Sequence, residues 1–322
     1  MTLLSVEHVS KQFVSGGGFL RGPKQRVYAV DDVSFTLQAG ETLGIVGESG
    51  CGKSTLGRTI LRLLEPTSGK IIFDGVDIAS LSAKALRQQR KKMQIIFQDP
   101  VSSLNPRMRV TEILAEPMVI HGFAKEDIAS RVTELLAMVG LPPDSGRKFP
   151  HEFSGGQRQR IGIARAIALR PQLIIADEPV SALDVSIQSQ ILNLLVDLRE
   201  RLKLSLVFIA HDLAVVEHIS DVVAVMYLGR IVEMAPVKQL YERPSHPYTQ
   251  LLMASIPVIG ERRHEVGAAG NGDIPSPMNP PPGCHFHPRC PIATDICRTR
   301  RPEVRHLGDL KSAHQVACHH AK

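Results

Sequence analysis

The sequence predicts an α/β fold built on a parallel sheet, from two continuous apolar runs at 173–176 and 204–209, the helical stripe between them, and a strand–glycine loop–helix unit near residue 50. A run that is apolar at every position marks a strand buried on both faces, as in a sheet covered by helices. Between the runs, Ile187, Ile191, Leu194-Leu195, Leu198 and Leu202 recur at helical spacing and form one apolar stripe. Strand, helix and strand in that order point to a parallel sheet.

The elements follow in chain order. Residues 3–9 and 33–37 read as strands, separated by Gly16-Gly17-Gly18 and a basic, proline-containing stretch through Arg26 that reads as a surface loop. Residues 42–46 form a short apolar strand that enters a glycine-rich turn. From Lys53 the chain reads as helix, with Leu56, Ile60 and Leu63-Leu64 on one face. The basic run 87–92 reads as a solvated helix face. Residues from about 100 to 141 look mainly helical, with Ile113-Leu114 and Leu135-Leu136 as apolar markers and Pro142-Pro143 as the stop, an inserted helical lobe. Past Pro236 the composition turns to proline, histidine and cysteine, above all over 260–282, which marks a linker and a separate C-terminal module.

With 322 residues, 43% hydrophobic and 22% charged, the chain can bury a substantial core, which excludes disorder and fibrous repeats. The first residues lack the basic and apolar regions of a secretory signal, so the chain is expected to be unexported. The apolar runs 204–210 and 222–228 fall far short of the roughly 20 residues of a spanning helix, so any membrane contact is expected to be peripheral. The formal charge of +6 is spread among interspersed acids without a long basic tract, and no nucleic-acid partner is expected.

Gly47-Glu48-Ser49-Gly50-Cys51-Gly52-Lys53-Ser54-Thr55 matches the phosphate-loop pattern and sits between the predicted strand and helix that this pattern requires. Its glycines let backbone N–H groups converge on phosphate oxygens, and the helix N-terminus adds partial positive charge. Lys53 would then hold the β- and γ-phosphates of ATP, and the Ser54 hydroxyl a magnesium ion. A second element, Leu173-Ile174-Ile175-Ala176-Asp177-Glu178, places two carboxylates at the end of a buried strand, where open α/β sheets bind ligands. Asp177 would support magnesium, and Glu178 would orient or deprotonate the attacking water.

Phe153-Ser154-Gly155-Gly156-Gln157 resembles the signature of ABC ATPases, with Phe in place of the usual Leu. Gln98 in Ile95-Ile96-Phe97-Gln98 resembles the Q-loop, Ser181-Ala182-Leu183-Asp184 the D-loop, and His211 the switch histidine. Six elements in the order of that family identify the chain as a member. The resemblance implies a RecA-like core with an antiparallel β subdomain and an inserted helical subdomain at about 100–165, within an ABC ATPase domain at 1–235. It implies two ATPase subunits meeting head to tail, with Lys53, Ser54, Gln98, Asp177, Glu178 and His211 serving one nucleotide, Gln98 with Ser54 and Asp177 at the magnesium. Ser154, Gly155, Gly156 and Gln157 would cap the nucleotide of the partner. Tyr28, in Val27-Tyr28-Ala29-Val30, matches the aromatic residue on which the family stacks adenine.

The tail narrows the family. His246-Pro247-Tyr248-Thr249-Gln250-Leu251-Leu252 and Pro280-Pro281-Pro282-Gly283-Cys284-His285-Phe286-His287-Pro288-Arg289-Cys290 look like the C-terminal hallmark of dipeptide and oligopeptide importer ATPases, here the F-type subunit. This implies a C-terminal region at 236–322 and a heterodimer with a sister ATPase. It also implies two transmembrane permeases, an extracytoplasmic peptide-binding protein, and a peripheral location on the cytoplasmic face of the inner membrane. Nickel complexes and haem are cargoes of related systems. Cys284, Cys290, Cys297 and Cys318 could hold tetrahedral zinc or an iron–sulfur cluster; the resemblance implies a [4Fe-4S] cluster. Cys51 is read as a small residue of the phosphate loop. A rival class, a soluble ABC ATPase acting on nucleic acid or ribosomes, would use the same nucleotide chemistry. Such translation factors usually carry two cassettes in one chain, whereas this chain has one set of motifs.

Overall fold

A computed structural model describes residues 1–15, 25–255, 272–308 and 313–321. The expected loop at Gly16-Gly17-Gly18 and most of the expected linker lie outside them. The chain divides into two compact units, one made of Thr2–Leu37, Leu43–Ala79 and Ala210–Lys322, the other chiefly of Gln38–Thr42 and Ser80–Ile209.

In the first unit, β1 (Thr2–Ser15), β2 (Gln25–Gln38), β4 (Ser68–Phe73) and β5 (Val76–Asp77) form a sheet in the order β2-β1-β4-β5. Its logic is alternation: Leu4 pairs with Phe73 and Val6 with Ile71, all buried, while Val33, Phe35 and Leu37 of β2 alternate with exposed residues. β1 and β2 are longer than their apolar segments suggest, because an antiparallel ladder tolerates polar ends that carry no apolar signal.

β3 (Thr42–Val46) is buried at every residue and pairs in parallel with β9 (Val222–Tyr227). α1 (Lys53–Ile60) follows β3 and stops short of Leu63-Leu64, because Arg62 turns left-handed at φ 51° and leaves Leu63 exposed. β9 returns directly into β10 (Arg230–Pro236) through Leu228 and Gly229, whose φ values of 44° and 84° suit a two-residue hairpin turn. β11 (Arg305–His306) and β12 (Gln315–Val316) continue antiparallel from β10. The sheet is therefore mixed and not wholly parallel, and Leu228-Gly229 is the sequence signal of its antiparallel return. The unit also carries α8 (Leu213–Ile219), α9 (Val237–Glu242), α10 (Pro247–Ala254) and α11 (Asp295–Thr299).

The His246-Pro247-Tyr248 motif has a local physical meaning. His246 caps α10 by accepting the Tyr248 N–H at Nδ1 over 3.0 Å, and Pro247 occupies the first turn. Glu233, buried in β10, accepts the backbone N–H groups of Ser245 and His246 at 2.7 and 2.9 Å and meets His314 Nε2 at 2.7 Å. Burial drives the His246 imidazole down to about 3, which keeps it the neutral acceptor that the cap needs. An unfolded histidine titrates near 6.5, so the unfolded chain binds the extra proton first and stability falls as pH drops through that value towards 3. Between pH 7 and pH 5 this one group is expected to cost about 2 kcal/mol. His246→Asn keeps a capping acceptor, and denaturant unfolding at the two pH values should show the difference shrink by that amount.

In the second unit, β6 (Met93–Ile96), β7 (Leu173–Asp177) and β8 (Ser205–Ala210) run parallel, with Asp177 beside Ile209. α7 (Val185–Leu202) links β7 to β8 and buries Ile191, Leu195 and Leu198 of the expected stripe. α2 (Ala83–Gln89) precedes β6. α3 (Pro100–Ser103), α4 (Val110–Ile120), α5 (Lys125–Met138) and α6 (Gly155–Ala166) supply the expected helical stretch around Ile113, Leu114, Leu135 and Leu136. Arg131 of α5 is buried and donates to the carbonyls of Ile167 and Ala168 just past α6, which locks the two helices together.

Candidate active site

The phosphate loop begins where buried β3 ends. A Cβ on Gly47 would lie 2.1 Å from the Met226 carbonyl oxygen, and one on Gly52 would lie 1.9 Å from that of Ala29. Gly52 also stands at φ 105°, so only glycine can link this loop to α1. Lys53 opens the helix with Ser54 and Thr55 in its first turn, while Ser49 and Gly50 are exposed at the tip of the loop. The Lys53 side chain is buried and curls back, its Nζ donating to the Gly47 and Glu48 carbonyls at 2.7 and 3.0 Å. Cys51 is buried beside it, and burial pushes its thiol upward, so it behaves as a small packing residue. Tyr28 is half-buried in β2, its N–H donating to the Pro277 carbonyl at 3.1 Å. His211 stands exposed just before α8, next to the capping residue Asp212.

In the other unit, β7 ends on buried Asp177 and half-buried Glu178. Glu178 has a left-handed backbone, φ 47°, held by its N–H donating to the Ile209 carbonyl at 3.0 Å. Such strain turns the side chain off the line of the strand and is a mark of functional positions. Gln98, just beyond β6, donates its Nε2 to Glu178 Oε2 at 2.8 Å, so the structure brings these two site residues together. Ser154 caps α6: its hydroxyl accepts the Gln157 N–H, and Gln157 Oε1 accepts the Ser154 N–H at 3.0 Å. A Cβ on Gly156 would lie 2.6 Å from Ile187 Cγ2, so close contact with α7 demands glycine, and Gly155 meets Leu183. Asp184 is exposed at the start of α7.

The expected iron–sulfur cluster, and its zinc alternative, must be withdrawn. Among the described residues, which include Cys284, Cys290, Cys297 and Cys318, no group of three or more His, Cys, Asp or Glu side chains is arranged to hold a metal ion. The cysteines instead serve local packing; Cys297 and Cys318 are buried, and the Cys284 N–H donates to the Cys297 carbonyl at 2.8 Å. The spacing alone could not reveal this, because sequence separation does not fix where four sulfurs point.

The family model "ABC transporter" matches residues 30–181, and "Oligopeptide/dipeptide transporter, C-terminal region" matches residues 232–297. The chain is 52% identical to the oligopeptide transport ATP-binding protein AppF of Bacillus subtilis, over 99% of this chain and 97% of that one. It is 52% identical to the probable peptide ABC transporter ATP-binding protein y4tS of Sinorhizobium fredii, over 98% and 89% of the two chains. It is 46% identical to the di/tripeptide transport ATP-binding protein DppF of Pseudomonas aeruginosa, over 100% and 98%. Among solved structures, the dimeric post-hydrolysis state of the ATP-binding cassette MJ0796, bound to ADP and Pi, aligns at a TM-score of 0.65 and 28% identity, covering 73% of this chain and 99% of that one. The cassette accounts for the glycine loop, the acidic strand end and the capped α6, and the C-terminal match accounts for the tail motifs: this chain belongs to the ABC transporter ATP-binding family, as an ATPase of its oligopeptide/dipeptide branch.

Proposed function

We propose that this chain hydrolyses ATP to drive import of dipeptides or oligopeptides through an inner-membrane permease, from a peripheral position on its cytoplasmic face. The observation that carries the cargo class is the C-terminal match at 232–297, which goes beyond what the nucleotide motifs share among ABC proteins. Peptide names on relatives at 46–52% identity support it. Among the described residues no helix is long and apolar enough to cross a membrane.

Each site residue then takes a role. The backbone of 47–55 cradles the phosphates, Lys53 exchanges its two carbonyl partners for β- and γ-phosphate oxygens, and Tyr28 stacks on adenine. Ser54, Asp177 and Gln98 offer the oxygen donors that magnesium prefers, and when bound that ion neutralises developing phosphate charge. Glu178 orients the attacking water and accepts its proton, Gln98 releases Glu178 as nucleotide arrives, and His211 contacts the γ-phosphate. Ser154, Gly155, Gly156 and Gln157 cap the nucleotide of a sister ATPase, with Asp184 at the shared face. The ATPase domain runs over 1–235, with its helical subdomain at about 100–165 and the C-terminal region at 236–322. Purification with two permeases and a binding protein should yield ATPase activity stimulated by peptide-loaded binding protein. Stimulation by a nickel complex or haem instead would reassign the cargo, and salt-sensitive nucleic-acid binding without any membrane partner would overturn the transport reading.

A further inference from the structure

Glu48 poses an electrostatic problem. It is an acidic residue inside a loop whose proposed ligand carries three phosphates, and a carboxylate there opposes the ligand by like-charge repulsion. The structure contains its counterweight in the C-terminal region. Arg289 grips the Glu48 carboxylate with both guanidinium nitrogens, Nη1 to Oε2 at 2.8 Å and Nη2 to Oε1 at 2.9 Å. This fork is the strongest geometry available to such a pair. The Arg289 side chain is only 6% exposed and the Glu48 side chain 25%, so the pair is poorly screened. Arg289 is itself fixed between aromatic faces, 5.9 Å from the Tyr227 ring and 5.7 Å from the Phe286 ring. Tyr248 completes the hold: its hydroxyl accepts the Glu48 N–H at 2.8 Å, and its ring packs against Tyr227 and Phe286 at 4.6 and 5.4 Å between centroids. Both tail motifs, His246-Pro247-Tyr248 and the segment that ends in Arg289-Cys290, thus converge on one residue of the phosphate loop.

We propose that Arg289 is a positioning residue for ATP: it neutralises the Glu48 carboxylate and draws it aside from the phosphates, so that the oligopeptide-type C-terminal region is a working part of the nucleotide site. The proposal rests on the reading of 47–55 as the ATP phosphate site. A brace acting only through packing makes a different prediction from a charge clamp, and four variants of the full chain separate them: Arg289→Met, Arg289→Lys, Glu48→Gln, and Glu48→Gln with Arg289→Met.

Equilibrium binding of MgATP, with circular dichroism to verify folding, provides the readout. Leaving a partly buried carboxylate uncompensated beside the phosphates is expected to weaken binding about 10- to 100-fold in Arg289→Met. Arg289→Lys, which keeps the charge but loses the fork, should fall between it and wild type. Glu48→Gln, in which the repulsion leaves with the charge, sets the reference value against which the double variant is read. The decisive result is the double variant, which should recover to near the Glu48→Gln value. Wild-type affinity in Arg289→Met, or a double variant as weak as Arg289→Met, overturns the proposal. If Arg289→Met does not fold, the ordering of the lysine and double variants decides in the same way. A wild-type chain whose MgATP binding is absent, or is indifferent to Lys53→Met, instead overturns the phosphate-site reading itself.

Discussion

Glu178→Gln is expected to bind MgATP as wild type does while hydrolysing it about 10²- to 10⁴-fold more slowly, the usual worth of a general base. The substitution is clean for structural reasons. The side chain keeps its length and its left-handed backbone, and the new amide oxygen can still accept from Gln98 Nε2, which lies 2.8 Å from the present carboxylate. What disappears is the ability to take a proton and to polarise the attacking water as an anion. In this structure Gln98 Nε2 holds one of the two carboxylate oxygens. Single-turnover hydrolysis, measured beside nucleotide affinity, separates the two effects. Turnover within a few-fold of wild type would remove Glu178 from the role of base.

The second large effect belongs to Lys53→Met. Methionine fills the buried volume of the lysine stem but cannot donate to phosphate oxygens. Hydrogen bonds involving charged partners contribute about 1.5–3 kcal/mol each, so the loss of two phosphate contacts should weaken MgATP binding by about 10²-fold or more. In this structure the same ammonium bonds the Gly47 and Glu48 carbonyls, so the variant also loses those two contacts within the loop. A thermal melt followed without nucleotide reports that structural share, and calorimetric titration reports the lost affinity. Unchanged affinity in a folded variant would show that phosphate does not bind at this loop.

Much of this was legible in the sequence, for reasons that particular residues make plain. β3, β7 and β8 were readable because strands buried on both faces must be apolar throughout. The glycines of the loop were readable because a Cβ at Gly47 or Gly52 would collide with a carbonyl oxygen, a constraint no other residue type satisfies. The antiparallel side of the mixed sheet is barely legible, since its only sequence signals are a two-residue turn at Leu228-Gly229 and strands of two residues at β11 and β12. The end of α1 is not legible, because Leu63-Leu64 continues the helical spacing past a left-handed Arg62 that no pattern announces.

The tail is legible in the sequence as a motif, but its chemistry is not. Four cysteines suggested a metal, whereas the described residues offer no metal-holding group, and the polar work of the segment falls to Arg289 and Tyr248 on the phosphate loop. That pairing spans 241 positions in the chain from Glu48 to Arg289. Local spacing carries no information about such a contact, and only the folded sheet brings it about.

ATP-driven peptide import is tested most directly by uptake of a labelled peptide into proteoliposomes that hold this chain with the proposed sister ATPase and permeases. With binding protein on the opposite side and MgATP on the ATPase side, uptake above the equilibrium level is predicted, and it should vanish with Glu178→Gln. Uptake that proceeds without ATP, or robust ATP turnover that moves no peptide under any loading of the binding protein, would contradict it.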